Sequence, residues 1–188
     1  MPKQKITKEM VVEVAFELAR TGGMEQVMVK NIAEKLGCSV QPIYSYCKNM
    51  ESLRGDVAER ARQFIQDYMD AHIDQTDLFR STGRAYVQLA REEPHILKIF
   101  IFQERKNVSS LDELYRAETN PEVAKTISGE LGISIQRAKK LHLDMLIYTV
   151  GISTIFSVTT PGIPADEIFS QQERAYRAFL KAALEDTE

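Results

Sequence analysis

The stretch Val29-Lys30-Asn31-Ile32-Ala33-Glu34-Lys35-Leu36-Gly37-Cys38-Ser39-Val40-Gln41-Pro42-Ile43-Tyr44-Ser45-Tyr46 decides how this chain is read. Val29, Ile32, Ala33 and Leu36 recur at helical spacing, Gly37 interrupts them, and a second short helical pattern follows Ser39. Two short helices that cross closely need a small residue at the crossing, which Ala33 supplies. The turn between them needs a residue tolerant of positive φ, which Gly37 supplies. Ile32, Leu36 and Ile43 then form a shared apolar seam. Ser39, Val40, Gln41 and Ser45 project from the second helix, where a helix-turn-helix meets the major groove. An ordinary αα corner satisfies the same pattern, so the flanking sequence has to discriminate.

On the N-terminal side, Thr7 is an N-cap type, and Met10, Val11, Val14, Ala15, Leu18 and Ala19 share one helical stripe before Gly22-Gly23 stops the helix. On the C-terminal side, Ser39 is placed to cap a helix over Val40 to Tyr46, and Asn49 to cap a longer one. That fourth helix carries Leu53, Val57, Ala61, Phe64, Tyr68 and Met69 inward and is expected to run over 50–73 and connect two domains. Further helices are expected near 77–92, 94–104, 109–118, 121–131, 135–159 and 165–185. Pro94 and Pro121 suit first turns, Gly132 a C-terminal stop, Ser134 an N-cap, and Pro161-Gly162-Ile163-Pro164 the turn of a final helical hairpin. No strand-like alternation appears. The expectation is an all-α fold of about nine to ten helices, with an N-terminal three-helix helix-turn-helix domain in residues 1–50 and a C-terminal helical ligand-binding and dimerisation domain in 51–188.

The chain has 188 residues, 44% of them apolar, enough to bury a real core. Its first residues carry charge but no apolar run of signal-peptide length. Met145 to Val158, the longest apolar stretch, is short and rich in Ser and Thr for a membrane span, so a cytoplasmic protein with no membrane partner is expected. Cys38 and Cys47 lie nine apart with no Cys or His at metal spacing, and His72, His95 and His142 are scattered. No metal, cofactor or catalytic motif is legible, and no enzyme is expected. Net charge is −3, but it is unevenly spread: residues 1–55 hold eight Lys and Arg against six Glu, and the remainder carries −5. A small basic contact surface on an acidic body fits that asymmetry.

The continuation Ile43-Tyr44-Ser45-Tyr46-Cys47-Lys48-Asn49-Met50-Glu51-Ser52-Leu53, together with Ile32-Ala33 and Gly37-Cys38-Ser39, resembles the DNA-binding domain of the TetR family of transcriptional regulators. The resemblance covers about residues 7–55; the rest is similar only as a layout of helices. It implies a ligand-responsive transcriptional repressor that binds a palindromic operator in double-stranded DNA as a homodimer and is released by a small-molecule effector. It places Gln41, Tyr44 and Tyr46 toward DNA, with the tyrosine hydroxyls on phosphates, and Lys48 beside the backbone. Lys30, Ser39 and Pro42 complete the DNA-facing set, and Val40, Gln41 and Ser45 are the candidates for base readout. The other reading of Tyr44 and Tyr46 is that a ring packs under the fourth helix as core.

Three positions depart from the family's pattern. Met50 stands where a phosphate-binding Lys is usual, Met28 where a Thr caps the second helix at about 1 kcal/mol of benefit, and Pro42 lies inside the reading helix. With Ser39 as cap, Pro42 falls in the first turn, where its missing N–H removes no intrahelical bond.

For the C-terminal part the resemblance implies an effector site and a dimer seam. Tyr86, His95, Phe100, Tyr115, His142, Met145 and Tyr148 are the ligand candidates, suited to a largely apolar ligand with one or two hydrogen-bonding groups. Ile147, Gly151, Ile155, Phe169, Tyr176, Phe179 and Leu180 are the dimer candidates, on helices too broadly apolar for one face. For each set the alternative is ordinary core packing. The competing function is a helix-turn-helix protein that serves as a protein-interaction module without operator binding, which the low positive charge and Met50 would suit.

Overall fold

The computed structural model describes residues 6–74, 76–103, 108–158 and 162–185. Lys3, Lys5, Pro161 and the expected helix ends at 104 and 159 lie outside them. The described residues form ten α-helices and no strand: α1 (Lys8–Gly22), α2 (Val29–Leu36), α3 (Val40–Tyr46), α4 (Met50–His72), α5 (Leu78–Glu92), α6 (Pro94–Ile101), α7 (Leu111–Glu118), α8 (Pro121–Leu131), α9 (Ile135–Val158) and α10 (Ala165–Glu185), with a single 3-10 turn at Met24–Gln26. The fold is all-α, as the periodicity implied.

Local chemistry sets the boundaries. Thr7 accepts from the Met10 N–H at 3.3 Å to open α1. Asn49 accepts from the Ser52 N–H at 2.7 Å to open α4, Ser134 from Arg137 at 3.3 Å to open α9, and Gly132 ends α8 in the left-handed region.

The chain divides into two compact units, Met1–Ala71 with Glu92–Gln103, and His72–Arg91 with Glu104–Glu188. This is not the division expected at residue 50. Nearly all of α4 joins the first unit, because Leu53 and Val57 are sunk in the same core as Val11, Ala15, Ile32 and Ile43. The helix continues that stripe through Ala61, Ile65 and Met69, with Phe64 and Tyr68 half-buried beside it.

Helix α6, distant in sequence, also belongs to the first unit: Ile99 packs on its core, and Glu93, just ahead of α6, accepts from Arg20 of α1 at 2.5 to 3.0 Å. Arg20 lies over the Phe64 ring at 4.9 Å, and Arg60 over Phe16 at 4.5 Å.

In the second unit α9 packs on both α8 and α10. Its core gathers Ile127, Ile133, Ala138, Leu141, Met145, Tyr176 and Ala183, with Phe79, Phe179 and Leu180 partly buried against them. By length and composition α9 could also cross a bilayer. It packs on both neighbours along one stripe, and 33% of its apolar window is buried.

Candidate nucleic-acid interface

Helices α2 and α3 meet at a turn whose hydrogen bonds follow from Gly37. Its φ of 64° lets the Cys38 N–H reach the Ala33 carbonyl at 3.0 Å while its own N–H reaches Glu34 at 3.1 Å, the paired bonds of a Schellman stop. Ala33 is buried and Leu36 half-buried, and both pack with Ile32 and Ile43 in the first unit's core, so the seam expected from sequence is present. Met28 precedes α2 in extended conformation and makes no capping bond. The Asn31 side chain instead donates to the Gln26 carbonyl at 2.9 Å, bracing the same entry.

Ser39 occupies the cap position of α3 but accepts no hydrogen bond there. Pro42 contributes: a cap oxygen reaches the second or third N–H of its helix, the third residue of α3 has none, and the Gln41 N–H, the second, is left unbonded by Ser39. Ser39 is therefore an exposed hydroxyl, not the working cap expected from sequence.

Of the seven residues of α3 only Ile43 is buried. Val40 is 44% exposed and Tyr44 59% exposed, Gln41 and Ser45 lie beside them, and Pro42 is half-buried. Ser45 donates back to the Gln41 carbonyl at 3.3 Å. Neither tyrosine packs under α4. The two differ, however: the Tyr46 hydroxyl donates to the Ile6 carbonyl at 2.6 Å, whereas Tyr44 makes no bond among the described residues.

The cations of the first unit sort into two groups. Lys8 pairs with Asp56, Arg20 with Glu93 and Glu17, Arg60 with Glu13, and Arg62 with Glu59. The Asp56 carboxylate beside Lys8 raises its pKa. Lys30 and Lys35 on α2, Lys48 after α3 and Arg54 in the first turns of α4 are exposed and form no ion pair among the described residues. Lys8, Arg20 and Arg60 pair across elements and Arg62 pairs within α4, whereas the four exposed unpaired cations cluster in sequence around α3, with Lys98 half-buried on α6 and also without an ion pair among the described residues. Met50 is half-buried against the core rather than presented outward.

The expected ligand residues divide between the units. His95 and Phe100 lie half-buried on α6 in the first unit, whereas Tyr86, Tyr115, His142, Met145 and Tyr148 lie in the second. Two of the latter meet directly: the Tyr115 hydroxyl is 2.9 Å from His142 Nδ1, and Phe79 abuts the same imidazole edge-on at 5.6 Å. Burial holds the His142 pKa down to about 4 and raises that of Tyr115. Burial likewise raises the pKa of Tyr86. Tyr148 packs on Phe179 at 6.3 Å, and Met145 is core.

The expected dimer residues also split. Ile147 (50% exposed), Gly151 and Ile155 (56% exposed) lie on an outward stripe of α9 that Val150 and Val158 extend. On α10, Tyr176 is buried in the unit's own core, Phe179 and Leu180 pack against that core, and Phe169 is half-buried. Periodicity marked those α10 positions as apolar but could not tell which neighbour they meet.

Sequence reading passed over the buried polar residues Thr149, Ser153 and Gln172 of the second unit. Cys38 is half-buried and Cys47 buried, and core desolvation raises the Cys47 pKa. Among the described residues no three His, Cys, Asp or Glu gather as a metal site requires. Compared with known protein families and with curated proteins, the chain matches none.

Proposed function

We propose that the chain is a cytoplasmic, effector-responsive transcriptional regulator of TetR type, a repressor that binds a palindromic operator as a homodimer. One observation carries the reading: α3 exposes Val40, Gln41, Tyr44 and Ser45 while spending only Ile43 on the core. A helix so placed, following a tight turn and flanked by unpaired cations, has the chemistry of a major-groove reader. Hydroxyls and cations suit phosphates, and Gln41 suits the donor–acceptor edge of adenine.

Lys30, Lys35, Lys48 and Arg54 supply four cations per protomer. Two protomers engaging all of them would give a log–log salt slope of roughly −7, at about −0.9 per neutralised phosphate. The outward apolar stripe of α9 supports a dimer, whose two α3 helices would sit roughly 34 to 36 Å apart on successive major grooves.

Anisotropy titration of a labelled operator across a salt series tests the reading. Lys48→Ala should lower affinity for all sequences alike and flatten the slope by about 2, whereas Gln41→Ala should relax sequence preference at a nearly unchanged slope. Salt-independent or absent DNA binding, with capture of a protein partner through α3, would favour an interaction module instead.

A further inference from the structure

The C-terminal half of α9 is turned inside out. Its buried stripe begins Ala138, Leu141, Met145 and continues Thr149, Ser153 and Ser157, with Phe156 alongside. Over the same turns the outward stripe is Ile147, Val150, Ile155 and Val158. A dimer seam accounts for the outer stripe. It leaves the inner one unexplained, because a buried hydroxyl without a partner is costly.

Ser157 is satisfied by the Thr154 carbonyl at 3.0 Å. Ser153, 2% exposed, is not: its Oγ has no hydrogen bond. On α10, Gln172 is 5% exposed and donates through Nε2 to the Gly83 carbonyl of α5 at 3.1 Å. A carbonyl only accepts, so the amide orientation is fixed and Oε1 points elsewhere, buried and without a donor.

Gly83 completes the cluster. A Cβ on it would lie 3.5 Å from Gln172 Nε2 and 3.7 Å from Thr149 Oγ1, ordinary contact distances. Its φ is not positive. Neither backbone nor packing therefore demands glycine at this helix-interior position, where alanine is the better helix former. Glycine leaves only a methyl-sized gap there, in contact distance of both polar side chains.

We propose that Gly83, Thr149, Ser153 and Gln172 form a binding site for a small uncharged ligand bearing hydroxyl or amide N–H groups. The orphan Gln172 carbonyl requires a donor, and the two hydroxyls donate or accept. None of the three side chains is ionised, so a charged ligand would be desolvated without a counter-charge. The adjacent charges are already matched, Arg80 lying 3.3 Å from Glu173 and 3.6 Å from Asp77. This is the effector site of the regulator proposed above, and it rests on that reading only for its consequence at DNA.

The test is NMR of the full, isotope-labelled chain, following the Gln172 side-chain amide and the Gly83 backbone amide. Glycerol, erythritol and acetamide are the uncharged probes; acetate and methylammonium are charged probes of similar size. The uncharged probes should give saturable shifts and the charged ones none. Gly83→Ala should fold, melt at a higher temperature and lose at least tenfold in affinity, on the order expected when a methyl fills the ligand's room. Ser153→Ala, which removes an orphan hydroxyl, should keep its melting temperature and bind more weakly. No saturable shift with any uncharged probe, an equal response to the charged ones, or undiminished binding by Gly83→Ala would overturn the proposal and leave an ordered water as the occupant. A protein that answers the probes but binds no DNA would overturn the regulator reading alone.

Discussion

The hydroxyl of Tyr46 donates to the carbonyl of Ile6 at 2.6 Å, tying the last residue of α3 to the chain just ahead of α1. Two residues earlier, Tyr44 points the same chemical group at solvent. The pair thus separates a structural tyrosine from one available to an outside partner.

Removing each hydroxyl should divide the two roles. Tyr46→Phe loses one partly exposed hydrogen bond and should cost about 1 kcal/mol in urea denaturation. Tyr44→Phe should stay within about 0.5 kcal/mol yet weaken operator binding more than Tyr46→Phe does. Equal losses of DNA affinity from both would mean that the Ile6 bond opens on DNA.

The Arg20–Glu93 contact joins α1 to the residue that opens α6. Arg20 is about a third exposed, so screening limits its worth, and Glu93→Ala should cost about 1 to 2 kcal/mol. Proteolysis should then cut first near α6 if that contact is what holds the helix on the first unit. Unchanged cleavage would assign the docking to Ile99 and its apolar neighbours.

His142 gives the protein a defined acid sensitivity. Its folded pKa, about 4, lies below the ordinary 6.5, so below pH 6.5 the unfolded chain takes up a proton that the folded chain refuses. Stability on this account is fully present above pH 6.5, falls as pH drops toward 4, and stops falling below that. The loss should be about 2 kcal/mol at pH 5. His142→Phe, which keeps a ring beside Phe79 and Tyr115, should remove that part of the pH slope in denaturation measured from pH 7 to 4. An identical slope in the variant would place the titration elsewhere, among the carboxylates.

The exposed stripe of α9 should be the seam between copies. Ile147→Glu combined with Ile155→Glu should give a monomer by sedimentation velocity with unchanged helical circular dichroism, because both residues are already about half exposed and lie outside the buried cores. A dimer that survives both changes would place the seam on another face.

Helix boundaries were legible because their causes are local: Thr7, Asn49 and Ser134 as caps, Gly37 and Gly132 as left-handed stops, Pro94 opening α6. Ser39 has the residue type of a cap but makes no capping bond: Pro42 withholds one of the two N–H groups within its reach, and nothing local shows that the other, that of Gln41, goes unused. The membership of α6 was not legible, since Arg20 and Glu93 are seventy-three residues apart and nothing local pairs them. Tyr176 read as a seam residue because an apolar face looks the same whether its own core or a partner covers it. Thr149 and Ser153 read as polar interruptions of an apolar helix. Their continuation of the Ala138, Leu141, Met145 stripe in steps of four was the available signal that they face inward.

The most direct measurement of the central claim is selection of duplexes from a random pool by the purified full chain at low salt. A palindromic consensus, with half-sites one helical turn apart and lost on Gln41→Ala or Tyr44→Ala, is the predicted result. No enrichment with a folded, dimeric protein, both without and with the uncharged probes of the α5–α9–α10 site, would contradict it.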